Sequence, residues 1–133
     1  MKYVYPAIFK REDGAVLVRV PDLPSIFTFG DDLADAIYMA KDATEMWLWD
    51  AENKKEDVPP ASSKDEIEKQ CKDGEFVSLV LADTDEYRRN HDTRAVKKTL
   101  SIPSWLNQQA EKANAPYSQI LQQGLKDYLN IPR

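Results

Sequence analysis

The sequence predicts an α+β chain in two parts. A small sheet with a packed helix, in the order β-β-β-α-β, comes first, and a short β-α-α tail follows. Three observations predict this. Runs rich in aromatic and β-branched residues, punctuated by Asp-Gly and Pro, surround one long helical pattern. A polar stretch without apolar period, Asp83 to Thr93, separates them from the rest. The remainder opens on an alternating strand and continues as two helical stripes. The expected parts are a first domain over residues 1–86, a linker over 87–93 and a second domain over 94–133.

Lys2 to Lys10 reads as a strand, and Pro6 marks it as an edge. Asp13-Gly14 is a hairpin turn. Ala15 to Val20 follows, with Val16, Val18 and Val20 on one face and Leu17 and Arg19 on the other. Pro21-Asp22-Leu23-Pro24 breaks the chain, and Ser25 to Phe29 makes a third strand. Gly30-Asp31 announces a helix from Asp32 to Trp49, with Asp31 as the cap. Its core stripe is Leu33, Ile37, Ala40, Thr44 and Trp47. Asp50 to Ser62 is a charged loop containing Pro59-Pro60. Ser63-Lys64-Asp65-Glu66 fits a capping box for a short helix to Cys71. Asp73-Gly74 turns the chain into a fourth strand, Glu75 to Ala82.

In the tail, Val96, Lys98, Leu100 and Ile102 share one parity, and Lys97, Thr99 and Ser101 the other. That is a strand with an apolar and a polar face. Pro103 stops it. Ser104 is read as the cap of a helix to Ala113, and Ser118 as the cap of a second helix carrying Leu121, Leu125, Tyr128 and Leu129. So short a unit cannot bury a core alone, and a lone strand leaves its backbone groups unpaired. Two copies pairing their strands antiparallel satisfy both needs, and the two-stranded ribbon fits a DNA major groove.

Charge supports two partners. The whole chain carries −5. Residues 94–133 hold six basic against two acidic residues, a net of +4, while residues 1–93 hold twelve against twenty-one, a net of −9. The tail suits phosphate and the body suits a basic protein. No apolar run reaches the roughly 18 residues of a transmembrane helix. Met1 to Pro6 lacks the apolar core of a signal peptide, and Cys71 is the only cysteine, so a reduced cytoplasmic setting is expected.

Lys97 to Leu106, with the Ser118-Gln119-Ile120-Leu121 start, resembles the ribbon-helix-helix family of DNA-binding proteins. Tyr5-Pro6-Ala7, Pro21 to Pro24, Thr28-Phe29-Gly30-Asp31 and a helix rich in alanine (Ala34, Ala36, Ala40, Ala43) look like the HicB antitoxin family. That resemblance spans nearly the whole chain. It implies a partial RNase H-like domain that binds a HicA-type toxin, a small basic ribonuclease. It also implies a ribbon-helix-helix tail that binds double-stranded operator DNA and represses transcription. The expected assembly is a homodimer, or a tetramer of two such dimers, with no membrane role and no cofactor. DNA contacts fall on Lys97, Lys98, Thr99, Ser101 and Ser118. Toxin contacts are placed on Asp22, Leu23, Pro24, Phe27 and Phe29. The family commonly has glycine between the two tail helices. Here Asn114-Ala115-Pro116 stands instead, and Asn114 can take the left-handed cap conformation. The alternative is a ribbon-helix-helix regulator whose first domain senses a small ligand.

No enzyme is expected. Asp22, Asp31, Asp32 and Asp35 are the acids a metal-dependent nuclease would use, but acids at turns and helix starts are ordinarily caps. His91 lies in the linker, where a general base would be poorly held. Cys71 has no neighbouring partner for nucleophilic or zinc chemistry. Trp47, Trp49 and Trp105 sit at helical positions that suit packing.

Overall fold

A computed structural model describes residues 1–131 of the chain. It divides into two compact units, Met1–Arg94 and a second from Ala95 onward. Pro132 and Arg133, which end the expected second domain, lie outside the described residues.

In the first unit β1 (Lys2–Glu12), β2 (Ala15–Arg19), β3 (Phe27–Gly30) and β4 (Glu75–Asp83) form one antiparallel sheet in the order β3-β2-β1-β4. Asp13 and Gly14 close the first hairpin with φ of 51° and 79°. Two successive positive φ angles are what a two-residue turn needs to match strand twist, and Asp-Gly supplies them cheaply. β1 is central, not an edge. Pairing with β2 begins at Ile8, so Pro6 has only β4 beside it, opposite Leu79. The proline marks a locally single-sided position in a long strand.

α1 (Leu33–Asn53) packs on one face of the sheet. Its Ala36, Ala40 and Leu48 meet Tyr5, Ala7, Phe9, Val16, Val18, Val20, Val80 and Ala82. Small residues let the helix lie close. The buried residues are Ala36, Ala40, Thr44, Glu45, Leu48 and Ala51; Ala40 and Thr44 of the expected stripe are among them, Leu33 and Trp47 pack partly buried at its side, and Ile37 is exposed. The cap is Asp32, not Asp31: the Asp32 carboxylate accepts from the Asp35 N–H, and the Asp35 carboxylate accepts from the Asp31 N–H. The helix also runs a turn past Trp49. It ends with Lys55 at φ 56° and with the Lys55 and Glu56 N–H groups bonded back to Glu52 and Ala51.

α2 (Lys64–Glu68) starts at Ser63, whose Oγ accepts from the Glu66 N–H. It packs on β1 and β4. Pro6 and Ile8 point away from α1 yet are buried, as is Ile67 on α2, so α2 covers that part of the second face.

The stretch expected as a linker holds a helix, α3 (Thr84–His91), capped by Asp83. Its polar residues hid it. Only Thr84 and Tyr87 are buried, and Tyr87 packs on Trp49, so tertiary contact supplies what an apolar period would have signalled.

The second unit holds α4 (Ser104–Lys112) and α5 (Tyr117–Tyr128). Asn114 takes φ 52°, its N–H bonds to Glu111, and the Ala115 N–H bonds to Ala110, which is a glycine-free left-handed stop. The N-caps are Pro103 and Pro116, without side-chain capping, so Ser104 and Ser118 lie inside their helices. Residues 96–102, expected as a strand, are neither strand nor helix in the single chain. A strand needs a neighbour to accept its hydrogen bonds, and one copy has none here.

Candidate functional site

The turn Pro21–Pro24 is a structural knot. The Leu23 N–H bonds to Val20, the Ile26 N–H to Leu23, and the Leu23 side chain is 0% exposed. The Asp22 carboxylate accepts from the Ser62 N–H at 2.8 Å and from the Ser62 hydroxyl at 2.6 Å. It thereby ties the turn to the loop before α2, where the Tyr5 hydroxyl donates to the Pro59 carbonyl. Leu23 therefore offers no surface in this fold, and both Asp22 carboxylate oxygens are engaged by Ser62. Only Pro24 of the turn is exposed.

Phe27 and Phe29 are different. They alternate away from α1, sit opposite Arg19 and Leu17, and are 64% and 59% exposed. The same face continues across the sheet. Past the part roofed by α2 it opens again at Val4, Leu79 and Leu81. This second patch was not foreseen. A signal existed: β4 is apolar at both parities, Phe76 and Val80 on one, Val77, Leu79 and Leu81 on the other, which marks a strand with something to cover on each face.

The acids do not converge on a reaction centre. Asp22 holds Ser62, Asp32 caps α1 and Asp35 braces Asp31. Among the described residues no group of three metal-type ligands gathers. Two further acids are drawn into the first unit, Glu45 buried and Glu52 half-buried. Glu45, buried on α1, pairs with Lys41 at 2.7 Å and accepts from the Asp83 N–H at 2.7 Å. Glu52 accepts from the Tyr3 hydroxyl and the Thr84 hydroxyl, each at 2.8 Å, and from Arg88 at 3.3 Å. Burial pushes the Glu52 carboxyl up, but bonds from Thr84, Tyr3 and Arg88 outweigh it and hold the group below its ordinary value. Burial and the bond to Glu52 push the Tyr3 phenol up to about 12. Glu45 and Glu52 thus fasten α1 to the end of β4 and the start of α3. His91 ends α3, with its ring stacked on Tyr87 at 3.9 Å and Nδ1 3.0 Å from the Tyr87 carbonyl. It is a helix-end residue with a packing partner.

In the second unit, Lys97, Lys98, Thr99, Ser101 and Ser118 are all exposed. So is nearly every apolar side chain: Val96 is 78% exposed, Leu100 64% and Trp105 66%, and α4 and α5 bury no residue. Ile120, Leu121, Leu125 and Leu129 make an open stripe along and just past α5. Apolar surface on this scale marks an association site.

A family model described as the HicB_like antitoxin of bacterial toxin-antitoxin systems matches residues 5–124. No curated protein matches the chain. Two solved structures are similar in fold to this chain, whose described residues form a four-stranded antiparallel sheet and five helices. One is a toxin-antitoxin complex from Streptococcus pneumoniae, 24% identical, with a TM-score of 0.60, covering 96% of this chain and 99% of that one. The other is the antitoxin HicB of Burkholderia pseudomallei, 22% identical, with a TM-score of 0.53, covering 98% of each.

Proposed function

The chain belongs to the HicB-like antitoxin family of bacterial toxin-antitoxin systems, and we propose that it neutralises a HicA-type ribonuclease toxin with its first unit and represses its own operon with its second. In this reading it acts in the cytoplasm and performs no catalysis. The first unit is the partial RNase H-like part and the second a ribbon-helix-helix.

The observation that carries the DNA half is the exposure of the second unit's apolar residues. Val96, Leu100 and Ile102 stand in solvent in one copy, at 78%, 64% and 47%. Strand pairing with a second copy gives residues 96–102 their hydrogen-bond partners, and four helices then cover the apolar parity. Lys97, Thr99 and Ser101 are left on the free side of the ribbon, facing base edges. Lys98 and Ser118 reach phosphate at its margins. A net charge of +4 on residues 94–133 favours that contact. The toxin half is supported by the −9 carried by residues 1–93, which speeds encounter with a basic ribonuclease. Phe27, Phe29 and Pro24 are its proposed contacts on the β3 side.

The test combines assembly with DNA binding. Leu100→Asp places a carboxylate in the paired seam, and light scattering is expected to show loss of the dimer together with operator binding. Thr99→Ala keeps the dimer and weakens specific operator binding by about 1–3 kcal/mol. A wild-type monomer that binds operator tightly, or a Thr99→Ala variant with unchanged affinity, would refute the ribbon. Co-expression with the neighbouring reading frame tests the toxin half: co-purification of a small basic protein supports it, and none refutes it.

A further inference from the structure

We propose that the free edge of β4 receives an extended strand of the toxin, so that the partner continues the antiparallel sheet. The inference rests on the antitoxin reading above and adds where and how the toxin docks.

β4 is an outer strand nine residues long, whereas the opposite edge, β3, has four. Edge strands are ordinarily guarded by lysine, proline, a bulge or a covering element, because their unpaired N–H and C=O groups template pairing. From Phe76 to Ala82 this one carries no charge and no proline, and its ladder with β1 is unbroken from Lys2↔Asp83 to Lys10↔Glu75. The two acids at its ends are engaged internally. Glu75 accepts from the Lys72 N–H at 2.8 Å and pairs with Arg19 at 3.5 Å, and Asp83 caps α3. Beside the edge, Val4, Leu79 and Leu81 are each about half exposed. They form an apolar shelf for alternate side chains of an added strand. A strand along β4 runs about 30 Å. With the shelf it reaches on the order of the 1,000 Å² that a specific interface needs.

Charge selects the occupant. A second copy would bring together two bodies of −9 each, and pairing about a two-fold axis at Leu79 would set Glu75 against Asp83 of the other copy. A basic protein with an apolar strand and lysine or arginine around it meets the opposite field. Phe27 and Phe29 lie three strands away on the same face, about 14 Å at ordinary strand spacing.

The test uses the full chain and purified toxin with its nuclease activity disabled. Leu79→Lys with Leu81→Lys puts the usual edge guard on two exposed positions. The expected result is at least a 100-fold weaker toxin affinity, with thermal midpoint, assembly mass and operator affinity unchanged. In the wild type, those β4 amides over residues 76–82 that exchange freely are expected to slow at least tenfold when toxin is added. This second measurement decides the matter should the double variant misfold. Unchanged affinity in a folded variant, or no slowing in the wild type, overturns the proposal and leaves the antitoxin reading intact. A fall in assembly mass with toxin binding retained assigns the edge to a second copy and also overturns it. A wild-type chain that does not bind toxin refutes the antitoxin reading, and the proposal falls with it.

Discussion

Gly30 ends β3 and sits beneath the first turn of α1. A Cβ added there would lie 2.2 Å from the Ala36 nitrogen, 2.6 Å from the Asp35 carbonyl carbon and 2.7 Å from the Ala36 Cα. The obstacle is helix backbone, so no rotamer change relieves it. Ordinary contact begins at 3.4 Å, so the helix start must retreat by about 1 Å to accept Gly30→Ala, a displacement that a close-packed core does not absorb. Overpacking of a well-filled interior costs about 1–3 kcal/mol. Retreat also disturbs the Asp32 cap, worth about 1 kcal/mol. The expected loss is therefore about 3 kcal/mol, which for a unit of this size lowers the melting temperature by about 15 °C. Urea denaturation followed by tryptophan fluorescence reads it, since Trp47 and Trp49 lie on α1. A variant losing under about 1 kcal/mol would refute the reasoning and show that α1 rests on the sheet with slack.

Two further outcomes follow from the same unit. Leu23→Ala is expected to cost about 2–5 kcal/mol and Asp22→Ala about 1–3 kcal/mol, and neither weakens toxin binding at temperatures where the variant is folded; a stable variant that fails to bind toxin would return the turn to the interface. Stability is also expected to fall at both ends of the pH scale. Glu52 is held below its ordinary value in the folded chain, so its contribution is whole above the unfolded carboxylate range and lost as pH falls through the folded value. Tyr3 is raised from 10.0 to about 12, so its contribution is whole below pH 10 and lost as pH climbs toward 12. Denaturation midpoints across pH check this: Glu52→Gln flattens the acid limb, Tyr3→Phe flattens the alkaline limb, and unchanged limbs would show that the cluster does not couple to folding.

Elements whose signals are local were legible before any fold was seen. Asp13-Gly14 demands a two-residue hairpin because both residues accept positive φ. Ser63 and Glu66 form the start of α2 as read, and Asn114 replaces glycine at the helix stop because its short polar side chain tolerates the left-handed region. The parity of Val16, Val18 and Val20 named the core face of β2 correctly. The caps slipped by one residue at Asp32 and Pro103 and by two at Pro116, since neighbouring polar residues and prolines compete for the same role and only backbone geometry chooses.

Burial and partnership were the tertiary structure's to decide. Leu23 and Asp22 look like surface residues on a proline-framed turn, yet one fills the core and the other holds Ser62, forty residues away. Glu45 and Glu52 take their partners only when β4, α3 and Tyr3 are brought against them. Val4, Leu79 and Leu81 stay uncovered, whereas Pro6 and Ile8 on the same face are buried where α2 packs on β1 and β4. Sequence by itself determined the four strands of the first unit, their turns, the long helix and the contrast between acidic body and basic tail, because backbone preference, short-range capping and net charge need no distant neighbour. Which side chains lie inside, and which apolar surfaces remain open for a partner, depends on contacts between residues far apart in the chain, and those exist only once the fold has closed.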